Sequence, residues 1–182
     1  MATRVTGISG SLSDDSYTLK ALHIALEGAR ESGSIIDVID LRELPLPFCD
    51  GRPSARYPEN VQILKHKIQD SQGIILASPE YHSSFSAVLK NALDLLSKDE
   101  MEGKMCGLIG IAGGNMAANA VNSLRIVCRS VGAWVVPHHV VIGNVDKVFD
   151  SNGVISDKHL IERLTKLGND VAKYARLHFP ND

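Results

Sequence analysis

An alternation that runs from end to end constrains this chain more than any other feature. A short apolar run is followed by a segment with helical periodicity, and then by another apolar run. Short apolar runs bounded by turn signals read as buried strands, and apolar residues recurring every three to four positions read as amphipathic helices. Arg4–Ser9 reads as the first strand and Tyr17–Ser32 as the helix after it, with Leu22, Ala25, Leu26 and Ala29 on one face. Ser34–Asp40 is the second strand, Val61–Asp70 a helix, Gly73–Ser78 the third strand and Ser86–Ser97 a helix. Met105–Ala112, Met116–Val131, Ala133–Ile142 and Asp157–His178 continue the alternation, the fifth strand being interrupted at Pro137. Tyr174 falls on the apolar face predicted for the last helix. Leu41–Asn60 holds Pro45, Pro47, Gly51, Pro53 and Pro58 and reads as loop.

Strands alternating with helices imply right-handed βαβ units and a parallel sheet with helices on both faces. Strands apolar on both faces fit a covered parallel sheet. The 182 residues suit one domain, 1–182, and no repeat or low-complexity tract divides them. Five strands favour the doubly wound order 2-1-3-4-5. In that order the first, third and fourth strands are neighbours, so the loops after them converge on one crevice at the carboxyl edge, where open α/β sheets bind ligands.

Those three loops carry the candidate site. After the first strand, hydroxyls crowd the entry to a helix: Ser9, Ser11, Ser13, Ser16 and, beyond Tyr17, Thr18. Backbone N–H groups at a helix N-terminus bind anions, and hydroxyls add donors. Plain N-capping by Ser16 or Asp15 is the other reading of this loop. It is neither GxGxxG nor a Walker A loop, because only Gly7 and Gly10 occur and no Gly-Lys-Ser/Thr follows. After the third strand comes Pro79-Glu80-Tyr81-His82-Ser83-Ser84-Phe85-Ser86. Pro79 sets the exit direction of the chain, Tyr81 offers an aromatic face to a planar ligand such as flavin, and Ser83, Ser84 or Ser86 is placed to cap the next helix. Tyr81 and His82 as ordinary surface side chains, and Glu80 as a solvated carboxylate, remain open alternatives. After the fourth strand, Gly113 and Gly114 with Asn115 allow close approach of backbone to a ring, or make a tight turn.

Charge and cysteine content narrow the classes. A net charge of −2 gives no basic patch for nucleic acid. No apolar run approaches the roughly 18 residues of a membrane span, and the N-terminus enters a strand directly, so no membrane insertion and no signal peptide are expected. Cys49, Cys106 and Cys128 form neither a CxxC pair nor a zinc pattern and are expected to be reduced, buried thiols of a cytoplasmic protein. His138 and His139 are adjacent in a strand, so they face opposite sides and predict no metal site.

The run Ser78-Pro-Glu-Tyr-His-Ser-Ser-Phe-Ser-Ala-Val-Leu-Lys-Asn-Ala-Leu-Asp94, with Ile8-Ser9-Gly10-Ser11-Leu12, resembles the NADPH-dependent FMN reductase family of flavodoxin-like proteins. The resemblance extends over nearly the whole chain. It implies a flavodoxin-like doubly wound five-stranded parallel sheet of order 2-1-3-4-5. It implies FMN as cofactor and NADPH or NADH as hydride donor, with a quinone, free flavin or similar small molecule as electron acceptor. By resemblance, Ser11, Ser16 and Thr18 hold the FMN phosphate, Pro79, Glu80, Tyr81 and His82 line the isoalloxazine, and Gly113, Gly114 and Asn115 approach its pyrimidine side. Ser9, Tyr17 and Ser83 complete the candidate cofactor-binding set. No protein acid or base is assigned a catalytic role, because the flavin carries the hydride chemistry. The family commonly has Arg or Lys where this chain has Ser13, and Asn where it has Thr18. Its third- and fourth-helix faces build homodimers or homotetramers. A flavodoxin-type electron carrier and a non-enzymatic flavin-binding regulator are the alternatives on this fold.

Overall fold

Long buried strands seed the architecture, because a strand with both faces apolar must be covered on both sides. The computed structural model describes residues 2–150 and 152–179. The strands β1 (Arg4–Ser9), β3 (Gly73–Tyr81) and β5 (Met105–Ile111) lie side by side and parallel at the centre of the sheet. The strand β2 (Ile35–Asp40) flanks β1. The expected fifth strand is split at Pro137 into β6 (Trp134–Val135) and β7 (Val140–Ile142), which pair with successive halves of β5. The path β2-β1-β3-β5-β6 is therefore the 2-1-3-4-5 order.

Alternate residues of each central strand feed two cores. Ile75 and Ala77 join the cluster beneath α1 (Tyr17–Glu31) and α7 (Lys158–His178). Ile74 and Leu76 join the cluster beneath α2 (Glu59–Gln69), α3 (Ala87–Asp94) and α5 (Ala118–Ser130). Side chains start the helices where the sequence places capping residues: Ser16 accepts from Leu19 N–H, Ser86 from Leu89 N–H, and Asp157 from His159 and Leu160 N–H.

Several boundaries differ from the sequence reading. The third strand runs on to Tyr81 and turns back as a hairpin with β4 (Ser84–Phe85). The expected helix Ser86–Ser97 stops at Asp94, because a capping box between Ser97 and Glu100 starts a separate turn, α4 (Lys98–Met101). A short helix not anticipated, α6 (Val145–Val148), follows β7. Tyr174 is exposed, and Ala172 and Ala175 face inward in its place. Cys106 and Cys128 are buried beside one another, and their mutual hydrogen bond together with burial pushes the Cys106 thiol up. Cys49 is exposed, which corrects the expectation of three buried thiols. His138 bonds to the Arg163 carbonyl and His139 to Arg125. No helix among the described residues is long and apolar enough to cross a membrane.

The helices α1 and α7 touch backbone to backbone. A Cβ built on Gly168 would lie 1.7 Å from the Ala25 carbonyl oxygen, and one on Gly28 would lie 2.2 Å from that of Thr165. Gly168→Ala should therefore destabilise the protein by about 2–3 kcal/mol through overpacking, although alanine in a helix interior is otherwise better by about 1 kcal/mol. Urea melts of the two proteins measure this; a stabilised Gly168→Ala variant would show that the helices do not approach so closely.

Candidate functional site

The register of the central strands brings three loops to one edge. Ser9 of β1 lies opposite Ala77 of β3, and Pro79 of β3 opposite Ile111 of β5. The loops are stitched together. Gly10 N–H donates to the Ala77 carbonyl at 2.8 Å, and Ser86 Oγ donates to the Gly10 carbonyl at 2.6 Å. Ala112 N–H donates to Ile142 in β7, and Asn144 N–H to the Gly114 carbonyl at 2.8 Å.

One cavity of about 210 Å³ lies where the loops meet. From the first loop Ser11, Ser13, Ser16, Tyr17 and Thr18 line it; from the second, Pro79, Glu80 and Tyr81; from the third, Gly113. Ile111, Ala112 and Val145 also line it and were not anticipated. Val145 arrives on α6, directly after the strand-end sequence Ile142-Gly143-Asn144. Five of the predicted residues stand outside the lining. Gly114 and Asn115 are exposed beside it. His82 and Ser83 form the tip of the β3–β4 hairpin, both with positive φ (48° and 62°). Ser9 is buried under the first loop, and its hydroxyl has no partner among the described residues.

In the first loop the capping reading is observed directly, and it leaves donors free. Ser16 Oγ accepts from Leu19 N–H as the N-cap of α1, which leaves its O–H free to donate. The backbone N–H groups of Tyr17 and Thr18 have no acceptor among the described residues, as expected in the first turn of a helix. Asp15, which also lines the cavity, is paired with Lys20.

Glu80 has a role that strand periodicity did not reveal. Its Oε2 accepts from Ala120 N–H at 2.9 Å and its Oε1 from Asn119 Nδ2 at 3.3 Å. The helix α5 begins after Ala117, which offers no capping side chain. Glu80 supplies that cap from a neighbouring strand, and its charge suits the positive end of the helix. It thereby fixes the far end of the third loop. Tyr81, 58% exposed, projects from the hairpin and lines both the cavity and the adjoining groove that contains His82, Phe85 and Ile126.

The third loop is open in a telling way. Neither Gly113 nor Gly114 has positive φ, and a Cβ on either would meet nothing within 4 Å. Nothing inside the chain calls for glycine at these positions, so the space above them is what glycine preserves. The N–H groups of Gly113, Gly114 and Asn115 have no acceptor among the described residues.

The sequence model of the family described as NADPH-dependent FMN reductase matches residues 3–147. The chain belongs to that family. FMN is therefore its cofactor and NADPH its reductant, and it is an FMN-dependent NAD(P)H oxidoreductase. An FMN-dependent NADPH-azoreductase of Staphylococcus saprophyticus is 35% identical over 144 residues, 76% of each chain. The enzyme of that name from Staphylococcus aureus is 32% identical over 150 residues, 80% of each chain. Among solved structures, the NAD(P)H:(acceptor) oxidoreductase FerB of Paracoccus denitrificans superposes with a TM-score of 0.78 at 23% identity, over 97% of this chain and 99% of that one. An NAD(P)H:quinone oxidoreductase of Methanothermobacter marburgensis gives 0.72 at 17% identity, over 94% of this chain and all of the other. These two share the fold. The residues present fit the cofactor on three counts: free N–H groups at the start of α1, the unpartnered buried hydroxyl of Ser9, and the open faces of Gly113 and Gly114.

Two substitutions separate scaffold from site. Ser16→Ala removes the α1 cap and should cost about 1 kcal/mol of stability. Glu80→Ala should cost about 1–2 kcal/mol, since it orphans the Ala120 N–H and removes a charge from a helix start. Thermal or urea denaturation checks both; a Glu80→Ala protein as stable as the parent would mean that the carboxylate does not hold α5.

Proposed function

We propose that FMN lies in the three-loop cavity with its phosphate against Ser11, Ser16, Thr18 and the start of α1. Ser9 and Tyr17 support that loop from beneath and beside it. The flavin ring is proposed to rest against Pro79, Glu80, Tyr81 and the His82–Ser83 tip on one side and Gly113–Asn115 on the other. The whole chain acts as one flavin-binding unit in this reading. Its principal support is the pair of glycines, 113 and 114, whose empty Cβ positions serve no purpose within the chain itself.

Bound FMN supplies the hydride-accepting and electron-passing chemistry. The protein orients and polarises. The Gly114 carbonyl is held by Asn144 N–H, and in a planar trans peptide the Asn115 N–H points the opposite way. That N–H is free and fixed in direction, so it stabilises negative charge developing nearby without reorganising. Pro79 keeps the chain end rigid, since its φ is set by the ring. The turn at His82–Ser83 places two non-glycine residues in the left-handed region, at about 1–2 kcal/mol each. That hairpin holds Tyr81 outward, where its ring flanks a planar substrate entering from solvent. No lining side chain has to accept or donate a proton for hydride transfer.

The acceptor is proposed to be a small planar electrophile, an azo compound or quinone, that takes the place left by oxidised NADPH. Identity of 32–35% to two azoreductases supports the first of these. The groove of Tyr81, Phe85 and Ile126 beside the cavity is apolar and exposed. We take it as the face on which a second copy packs to give a homodimer or homotetramer, as light scattering will determine.

Titration with FMN should quench flavin fluorescence with one FMN per chain. Anaerobic addition of NADPH should bleach the visible flavin band within seconds. Flavin that stays oxidised with NADPH yet is reduced by dithionite would favour an electron carrier over a reductase. Ser13 lines the cavity but brings no charge to it. Ser13→Arg should tighten FMN binding by about tenfold, through a guanidinium–phosphate contact; unchanged affinity would mean that residue 13 does not face the phosphate.

A further inference from the structure

We infer that Arg42, which lies outside the cavity, is a positioning residue that sets the direction of the phosphate-facing amides of the first loop. The inference rests on the FMN site proposed above. Arg42 follows β2, the strand beside β1. Its Nε donates to both carboxylate oxygens of Asp40 at 3.0 Å, and its Nη2 also bonds Asp40 Oδ2. Its Nη1 donates across the strand ends to the Ser13 carbonyl at 3.0 Å and the Asp14 carbonyl at 2.9 Å.

Those two carbonyl contacts have a consequence for the opposite side of each peptide. In a planar trans peptide the C=O and the following N–H are antiparallel. With the Ser13 and Asp14 carbonyls drawn to the guanidinium, the N–H groups of Asp14 and Asp15 are turned away from it. Neither N–H has an acceptor among the described residues. Arg42 lines a separate groove with Leu12, Leu41 and Leu44, whereas Ser11, Ser13, Asp15 and Ser16 line the cavity. The two turned amides thus extend the free N–H groups of Tyr17 and Thr18 into a longer anion-facing array.

The contribution is one of geometry more than of charge. Both oxygens of Asp40 already take up the cation, and the Arg42 hydrogen bonds hold the Asp40 carboxyl below its ordinary range. A planar fork can serve the carboxylate and both carbonyls at once; an ammonium in the same place cannot.

The test compares FMN with riboflavin, which has the same ring and no phosphate. Arg42→Lys keeps a cation for Asp40 but loses the fork. FMN affinity should fall about tenfold, as for one charge-assisted hydrogen bond, while riboflavin affinity stays within about twofold. Parallel losses for both ligands would make Arg42 a purely structural residue and overturn the inference, as would no loss for either. The double variant Asp40→Asn/Arg42→Met, which leaves no buried charge unpaired, is read the same way should the lysine protein fail to fold. In the unaltered protein, FMN and not riboflavin should shift the amide NMR signals of Asp14 and Asp15. Signals indifferent to FMN would overturn the inference even with every variant unfolded. Failure of the unaltered protein to prefer FMN over riboflavin would instead overturn the placement of the phosphate at the first loop.

Discussion

The hydrogen-bonded register of β1, β3 and β5 is the constraint on which the rest depends. Once Ser9 is opposite Ala77 and Pro79 opposite Ile111, three loops with no sequence proximity must leave the sheet within one crevice. A slip of one residue in β3 would turn Ile74 and Leu76 out of one core and into the other. The register is therefore held by the fit of particular side chains into each of the two close-packed cores. The site inherits its rigidity from that fit. None of its loops has to be ordered by its own contacts alone.

The site itself is an arrangement of backbone groups, and the side chains around it act largely by orienting them. Glu80 caps α5 and so ends the third loop. Asn144, reaching from the segment before α6, holds the Gly114 carbonyl. Ser16 takes Leu19 N–H, which leaves the two preceding amides of α1 free. At Gly114 the carbonyl is satisfied inside the protein, and planarity aims the N–H of the same peptide, that of Asn115, the other way. Such an arrangement suits an enzyme whose cofactor carries the reaction, which needs dipoles held still.

Much of this was legible in the sequence, and the rest was not for identifiable reasons. The alternation of apolar runs gave the sheet order, because parallel strands buried on both faces leave few other arrangements. The hydroxyl-rich turn, the Pro79–Tyr81 segment and Gly113 could be placed because each directly follows a strong strand. The cap made by Glu80 was hidden, since it joins residues forty positions apart that share no periodicity. The His82–Ser83 turn was hidden for another reason: tight hairpins with two positive φ angles ordinarily announce themselves with Asn-Gly or Asp-Gly. Val145 could have been found. The rule that drew attention to the first, third and fourth strand ends applies equally after Ile142, where Gly143 and Asn144 mark a turn.

Charge around the cavity follows the same logic. Asp14, Asp15, Asp40 and Glu80 all lie at the edge where the FMN phosphate is proposed to bind, an arrangement that would repel an anion were they free. Three of the four are occupied: Asp15 by Lys20, Asp40 by Arg42, and Glu80 by the start of α5. Asp14 is exposed to water, where a dielectric near 80 leaves about 1 kcal/mol at 4 Å. Among the described residues that line the cavity, none is Lys, Arg or His. Attraction for a dianion must then come from peptide N–H groups and hydroxyls, whose pull is short-ranged and directional. Recognition built that way depends on the orientation of a few peptide planes, so residues outside the cavity, reaching only the far side of a carbonyl, have as much authority over binding as those that touch the ligand.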